Sequence, residues 1–291
     1  MKYLEAIAAL ISKWPSKNKS NVTSASNVEG EYFSLLRRVR NIYAAEGIEI
    51  TQGVNSYLCS NVRSAQFVQY HKDGSLLTPH SGIGYDELLL IGQICRNVSA
   101  KNVFIIGNGL GWSTIGLSLM LGQANIIAIE PEAGIDLTNS IATRHNLNCK
   151  VVKGYSPQDN ARIVASEFTK VPDLVLIDGM HDKESVIKDF SSVFSLCGPN
   201  TTYIFHDVLT FDLSGALKEA YDQTGSPNMK IWLATATSSG LGIIGPAARN
   251  DELDTLISLF SMSESAVGTM RRIGRERAHP PVDYLRYINT N

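Results

Sequence analysis

The stretch Val103-Phe-Ile-Ile-Gly-Asn-Gly-Leu-Gly-Trp-Ser-Thr114 decides how this chain folds. An apolar run breaks into three glycines at alternate positions, Gly107, Gly109 and Gly111, and a helix-compatible segment follows at once. That order reads as a buried strand, a tight turn and a helix N-terminus. Glycine lets the backbone turn with positive φ and lets a ligand approach the main chain without meeting a Cβ. A second apolar run, Asn125-Ile-Ile-Ala-Ile-Glu130, ends in a carboxylate a little over twenty residues past the first glycine. This is the layout of a nucleoside-binding βαβ unit, in which the acid ending the second strand accepts hydrogen bonds from ribose hydroxyls.

The rest of the chain fits around that unit. With 291 residues, 44% hydrophobic and 19% charged, it can bury a large core. A formal charge of −2 argues against nucleic acid as the main partner. The four cysteines, Cys59, Cys95, Cys149 and Cys197, form no Cys-x-x-Cys pair and read as reduced thiols of a cytoplasmic protein. No apolar run approaches the ~20 residues of a membrane span. The first 14 residues read as an amphipathic helix rather than a signal peptide.

Residues 15–30 are polar and read as a linker, 31–46 as a helix, and 47–83 as a loop-rich or short-stranded cap. From about residue 84 the pattern alternates. Helices are expected at 84–97, 112–121, 133–146, 158–168, 183–196 and 212–223. Strands are expected at 102–107, 125–130, 149–153, 173–178, 201–206, 230–235 and 241–245. Such alternation predicts a mainly parallel sheet covered on both faces. Only Thr237-Ser-Ser-Gly240 breaks the pattern between the last two strands, so they should pair as an antiparallel hairpin. Three segments result: an appendage and cap over 1–80, a core domain over 81–248, and a helical tail over 249–291. The amphipathic segments at both ends offer surfaces for a homodimer.

In a parallel sheet the carboxyl ends of the strands share one edge, where ligands bind. Glu130, Ser156, Asp178, His181, His206 and Asp207 all fall at or just past strand ends and should converge there.

Together, Ile106-Gly-Asn-Gly-Leu-Gly-Trp-Ser-Thr114, Glu130-Pro, Gly154-Tyr-Ser-Pro157, Leu176-Ile-Asp-Gly-Met-His181 and Phe205-His-Asp-Val208 resemble a class I S-adenosylmethionine-dependent methyltransferase. The nearest group is the metal-assisted O-methyltransferases, catechol O-methyltransferase and the bacterial sugar and polyketide enzymes among them. The resemblance covers residues 80–245 and implies a Rossmann-like α/β fold with a seven-stranded sheet in the order 3-2-1-4-5-7-6. It implies that Gly107, Asn108 and Gly109 pass under the cofactor, with Ser113 or Thr114 near its carboxylate. Glu130 would bind the ribose, and Tyr155 and Ser156 would border the adenine. Asp178 would lie beside the transferred methyl, and Asp178, His206 and Asp207 would hold a divalent metal such as Mg²⁺. His181 would handle the proton of a small hydroxylated acceptor. The chain departs from the group at Ile105 and Met180, where acids are usual.

That inventory suits methyl transfer. The sulfonium carries an activated methyl, so the protein must align a nucleophile and help it lose a proton. A divalent ion on oxygen ligands lowers a hydroxyl's pKa, and a histidine can accept the proton near neutral pH. Plainer readings stand beside these. Glu130 could brace the next helix, Asp178 could be a turn residue, and His181 could cap the helix at 183–196. A methyltransferase-fold protein that binds without catalysing, or a dinucleotide-dependent oxidoreductase, would share much of this pattern.

Overall fold

A computed structural model describes residues 25–51, 67–78 and 82–276 of the chain. They fall into two compact units, divided between Glu49 and Ile50. The helix expected at the extreme N-terminus lies outside the described residues.

The first unit contains helix α1 (Ala25–Ala45), which begins inside the segment expected to be a linker. Helix propagation adds one hydrogen bond per residue once a turn is nucleated, so a polar stretch can be drawn into an adjoining helix. The helix ends where Ile48 N–H bonds Tyr43 C=O and Gly47 N–H bonds Ala44 C=O, with Gly47 at φ 70°. That pair of bonds is a Schellman stop.

The second unit opens on a small sheet in the order β1 (Glu49–Thr51, its first residue the last of the first unit), β2 (Gln69–Lys72), β3 (Ser75–Leu76), within the segment expected to be a loop-rich or short-stranded cap. It then runs α2 (Tyr85–Asn97), β4 (Asn102–Ile106), α3 (Trp112–Leu121), β5 (Asn125–Glu130), α4 (Ile135–Arg144), β6 (Cys149–Lys153) and α5 (Asn160–Glu167). It continues with β7 (Leu174–Ile177), α6 (Lys183–Cys197), β8 (Thr202–Phe205), α7 (Ser214–Gln223), β9 (Met229–Ala234) and β10 (Leu241–Pro246). Helices α8 (Asn250–Ser258) and α9 (Glu264–Glu276) follow.

The seven-stranded sheet has the order β6-β5-β4-β7-β8-β10-β9. Counted from β4, this is the expected 3-2-1-4-5-7-6. Strands β4 to β8 are parallel, and β10 inserts antiparallel between β8 and β9. The two strands flanking the midline, β4 and β7, are apolar along their buried length because helices cover both of their faces.

Successive side chains leave a strand on opposite faces. Phe104, Ile106, Val175, Ile177, Tyr203 and Phe205 point to one face and pack with Ile163, Val186, Phe190 and Leu213 from α5, α6 and the turn before α7. Phe190 sits at the middle of this layer, 5.2 Å from Tyr203 and 5.3 Å from Phe194 between ring centroids. The alternate residues, Val103 and Ile105 among them, face the layer in which α2 packs on α3 and α8. Cys95, Cys149 and Cys197 are free thiols, and burial pushes Cys95 up to about 12, so none is a poised nucleophile.

Candidate active site

The strand ends are tied in register by backbone bonds one residue beyond each strand. Gly107 N–H bonds Ile129 C=O, Asp178 N–H bonds Ile106 C=O, His206 N–H bonds Ile177 C=O, and Gly154 N–H bonds Glu130 C=O. Four chain segments therefore leave the sheet at one edge, around a cavity of about 910 Å³.

One wall is the glycine loop. Gly107 has φ 94°, and a Cβ there would lie 2.0 Å from the carbonyl oxygen of Asp178. Glycine is thus required twice, for the turn and for the close approach of the β4 and β7 ends. Glu130 is buried and organises the loop: Oε2 accepts from the N–H groups of Asn108 and Gly109, each at 3.0 Å. Oε1 accepts from Glu132 and Ala133 at 3.3 and 3.2 Å, in the turn before α4 rather than in its first turn. Each oxygen thus accepts two backbone bonds, and Glu130 lines the cavity with its carboxylate held in place by the loop.

Three expected cofactor residues have different roles. The Asn108 side chain is turned inward: Nδ2 donates to Thr138 and to Gly109 C=O, and Oδ1 accepts from the Thr114 hydroxyl. Thr114 is fully buried and absent from the cavity wall, so it supports the loop while Ser113, its neighbour, lines the cavity. Asn108 reaches the cavity through the loop, with its side-chain amide already engaged.

The opposite wall carries the acids and imidazoles. Asp178, His181 and Asp207 each offer a ligand atom within 4.8 Å of the others. His181 Nε2 lies 3.5 Å from Asp207 Oδ2, and its ring stacks on Phe211 at 4.8 Å and 13°. The cap of α6 is Asp182, whose side chain accepts from Ser185 N–H, so His181 is not the capping residue. Asp207 has φ 60°, a left-handed backbone that a non-glycine residue adopts at some cost, and functional sites are where such strain gathers. Its Oδ1 is buried without a hydrogen-bond partner among the described residues.

His206 is not in that triad, although its Nδ1 also lies 3.4 Å from Asp207 Oδ2. Its Nε2 bonds Glu87 Oε2 at 2.9 Å, and its Nδ1 lies 2.8 Å from Asp178 Oδ1, an ion-pair contact outside good hydrogen-bond angle. Burial would lower its pKa, but the Asp178 and Glu87 carboxylates outweigh burial and raise it well above the ordinary 6.5. Glu87, fully buried on α2, is the counter-charge. Burial would push its carboxyl up, yet the imidazolium and the Ser239 hydrogen bonds pull it below the usual range.

At the far end, Tyr155 and Ser156 line the cavity, Tyr155 largely exposed. Ser156 donates to Asp189 Oδ1 at 2.5 Å and accepts from Asn160. Asp189, on α6, is only 4% exposed, and burial raises its pKa against the Ser156 bond. The sequence reading passed over both Glu87 and Asp189.

Residues 104–208 match the family described as methyltransferase domain. Among solved structures, the chain resembles the O-methyltransferase TomG of Streptomyces achromogenes, involved in tomaymycin synthesis and bound to S-adenosylmethionine. The identity is 13%, the match covers 84% of this chain and 99% of that one, and the TM-score is 0.50. An O-methyltransferase of Bacillus cereus in complex with S-adenosylhomocysteine is 19% identical over 73% of this chain and 90% of its own, with a TM-score of 0.48. At 13% identity the first of these is a likeness of fold alone. Among curated protein sequences none matches the chain.

Proposed function

We propose that this chain, whose residues 104–208 match a methyltransferase-domain family, transfers a methyl group from S-adenosylmethionine to an oxygen of a small molecule. The observation that carries the reading is the convergence of two sets of groups on one cavity. The glycine loop and Glu130 form one wall, and Asp178, His181 and Asp207 form the other. The first set suits a nucleoside with its ribose on the carboxylate. The second suits an acceptor hydroxyl that must lose a proton as it attacks the methyl.

His181 is the favoured base. Phe211 holds its ring flat, Asp207 lies beside it, and it is partly exposed to the cavity. Asp178 is anchored by the His206 imidazolium, which fixes one carboxylate oxygen and leaves the other for substrate. Phe67, Met180 and Phe211 give this end an apolar lining, which suits an acceptor with an apolar or aromatic body.

The same triad fits a divalent ion. Two carboxylates and an imidazole are a common donor set, and the orphaned Oδ1 of Asp207 is the kind of buried atom that a cation satisfies. When bound, such an ion would lower the pKa of an acceptor hydroxyl and orient it. The nitrogen donor favours Mn²⁺ or another borderline metal over Mg²⁺.

The test is titration calorimetry with S-adenosylhomocysteine, followed by a cofactor-turnover screen over hydroxylated compounds. Binding should be detected, and His181→Ala should lower kcat by roughly 10²–10⁴-fold with cofactor affinity nearly unchanged. Cofactor binding with no turnover on any acceptor would favour a binding protein on this fold. Tight binding of NADH and none of S-adenosylhomocysteine would sink the proposal.

A further inference from the structure

Glu87 is absent from the cavity wall, yet its carboxylate is one imidazole away from a carboxylate that lines it. It stands fully buried in the first turn of α2, where a carboxyl group is costly unless both oxygens find partners. Both do. Oε1 accepts from the N–H and the hydroxyl of Ser239, each at 2.8 Å, and from the Thr237 hydroxyl at 2.9 Å. These donors lie in the turn between β9 and β10, where the neighbouring Asp86 also accepts from Ser238 N–H at 2.8 Å. The turn is braced in its own right, because the Ser239 carbonyl accepts from the N–H groups of Leu209 and Thr210. Oε2 is left for His206 Nε2 at 2.9 Å.

The line continues through the ring. His206 Nδ1 lies 2.8 Å from Asp178 Oδ1, and Asp178 lines the cavity. Among the described residues His206 is the one ion-pair partner of that carboxylate. The backbone of His206 is pinned to Ile177 C=O, but a pinned backbone still leaves the ring its χ1 and χ2 rotamers. Glu87 on the far nitrogen removes that freedom, and the ring then presents Nδ1 to Asp178 at a fixed place. A carboxylate suits this post because it accepts on both sides: one oxygen serves the turn and the other serves His206. An amide has a single acceptor and can accept from the turn or from the ring, not from both.

We propose that Glu87 is a positioning residue for methyl transfer: through His206 it holds the Asp178 carboxylate at the angle at which the acceptor meets it. The inference rests on the acceptor-side role given to Asp178 above. It adds to that role a group from α2, outside residues 104–208.

Calorimetry with S-adenosylhomocysteine, and steady-state kinetics on an acceptor found by the turnover screen, test it. Glu87→Gln should lower kcat roughly 10- to 100-fold, as a small misplacement beside the reacting atoms does. The affinity for S-adenosylhomocysteine should stay within about twofold of the wild type. In a His206→Asn background the same change should lower kcat no further, because the path to Asp178 is already cut. A purely structural role would show its loss in both backgrounds. A folded Glu87→Gln variant that keeps its kcat overturns the inference alone, and so does a full further loss in the His206→Asn background. Should Glu87→Gln not fold, Glu87→Asp, which keeps the charge and draws it back by one methylene, takes its place under the same outcomes. A wild type that methylates no acceptor overturns the reading of function, and crystal structures then decide the positioning. Asp178 Oδ1 within about 3 Å of His206 Nδ1 in the wild type, and displaced in the variant, supports it. An Asp178 that stays in place in the variant overturns it.

Discussion

Glu87 and Asp189 show how much can hang on a single side chain in the wrong-looking place. Glu87 shares its helical face with Leu90, Ile91 and Ile94, at spacings i, i+3, i+4 and i+7, and is fully buried. Its charge is balanced by His206, so Glu87→Gln should keep the shape and leave an imidazolium short of one partner. Losing one member of a buried pair costs about 3 kcal/mol or more, and urea denaturation of the variant should show it. The pair also shapes the pH dependence. The carboxyl of Glu87 is lowered from 4.5 on folding, so its contribution exists above pH 4.5 and is lost as pH falls through the folded value. The imidazole of His206 is raised from 6.5, so its contribution is complete below pH 6.5 and is lost as pH rises through the folded value. The pair therefore stabilises most between pH 4.5 and 6.5. Urea midpoints should decline above pH 6.5 as His206 loses its proton, and Glu87→Gln should flatten the decline below pH 4.5. Neither acid was legible as a site residue. Glu87 stands in the first turn of its helix, where acids are usually solvated partners of the dipole, and for both acids the one available signal was their place on an apolar stripe.

At the level of elements, the strands were legible because fully buried parallel strands are written as apolar runs, the antiparallel ending followed from a missing helix, and the order of the strands came only with the family resemblance. What lay at the strand ends was legible only by position. His206 and Asp207 both stand just past β8, and neighbouring positions on an extended strand face opposite ways. The left-handed backbone at Asp207 breaks that alternation and turns its side chain toward His181, while His206 points inward to Glu87. No periodicity rule contains that turn. Helix starts slipped by two residues at α4, α5 and α7, which open at Ile135, Asn160 and Ser214. The glycine loop is the most demanding element. Gly107→Ala would place a methyl on a left-handed residue and against the Asp178 carbonyl. Backbone must move to admit it, so a loss of more than ~2 kcal/mol is expected, with S-adenosylhomocysteine binding impaired as well. Phe190→Ala acts on the same unit from below. Removing the ring between Phe194, Tyr203 and Phe205 should cost about 3–5 kcal/mol in urea without altering the cavity wall.

For the molecule as a whole, a ligand that binds only the folded state couples the cavity to the stability of the entire sheet. At a free concentration 100 times its Kd, S-adenosylhomocysteine should add about 2.7 kcal/mol. For a cooperative unit of this size that is a rise in Tm of roughly 5–10 °C. NADH should give none, because the third glycine of the loop comes one residue earlier than the dinucleotide-binding pattern places it. The variants divide by wall. Glu130→Ala should abolish the shift, since it removes the ribose acceptor and releases the loop together. His181→Ala should keep the shift, since that ring faces the acceptor and Asp207 rather than the nucleoside. Mn²⁺ added to the S-adenosylhomocysteine complex should raise Tm further if Asp178, His181 and Asp207 close on it, and excess EDTA should reverse only that second increment. A metal increment that survives Asp207→Asn would assign the ion to another site and leave His181 with its proton-accepting role alone.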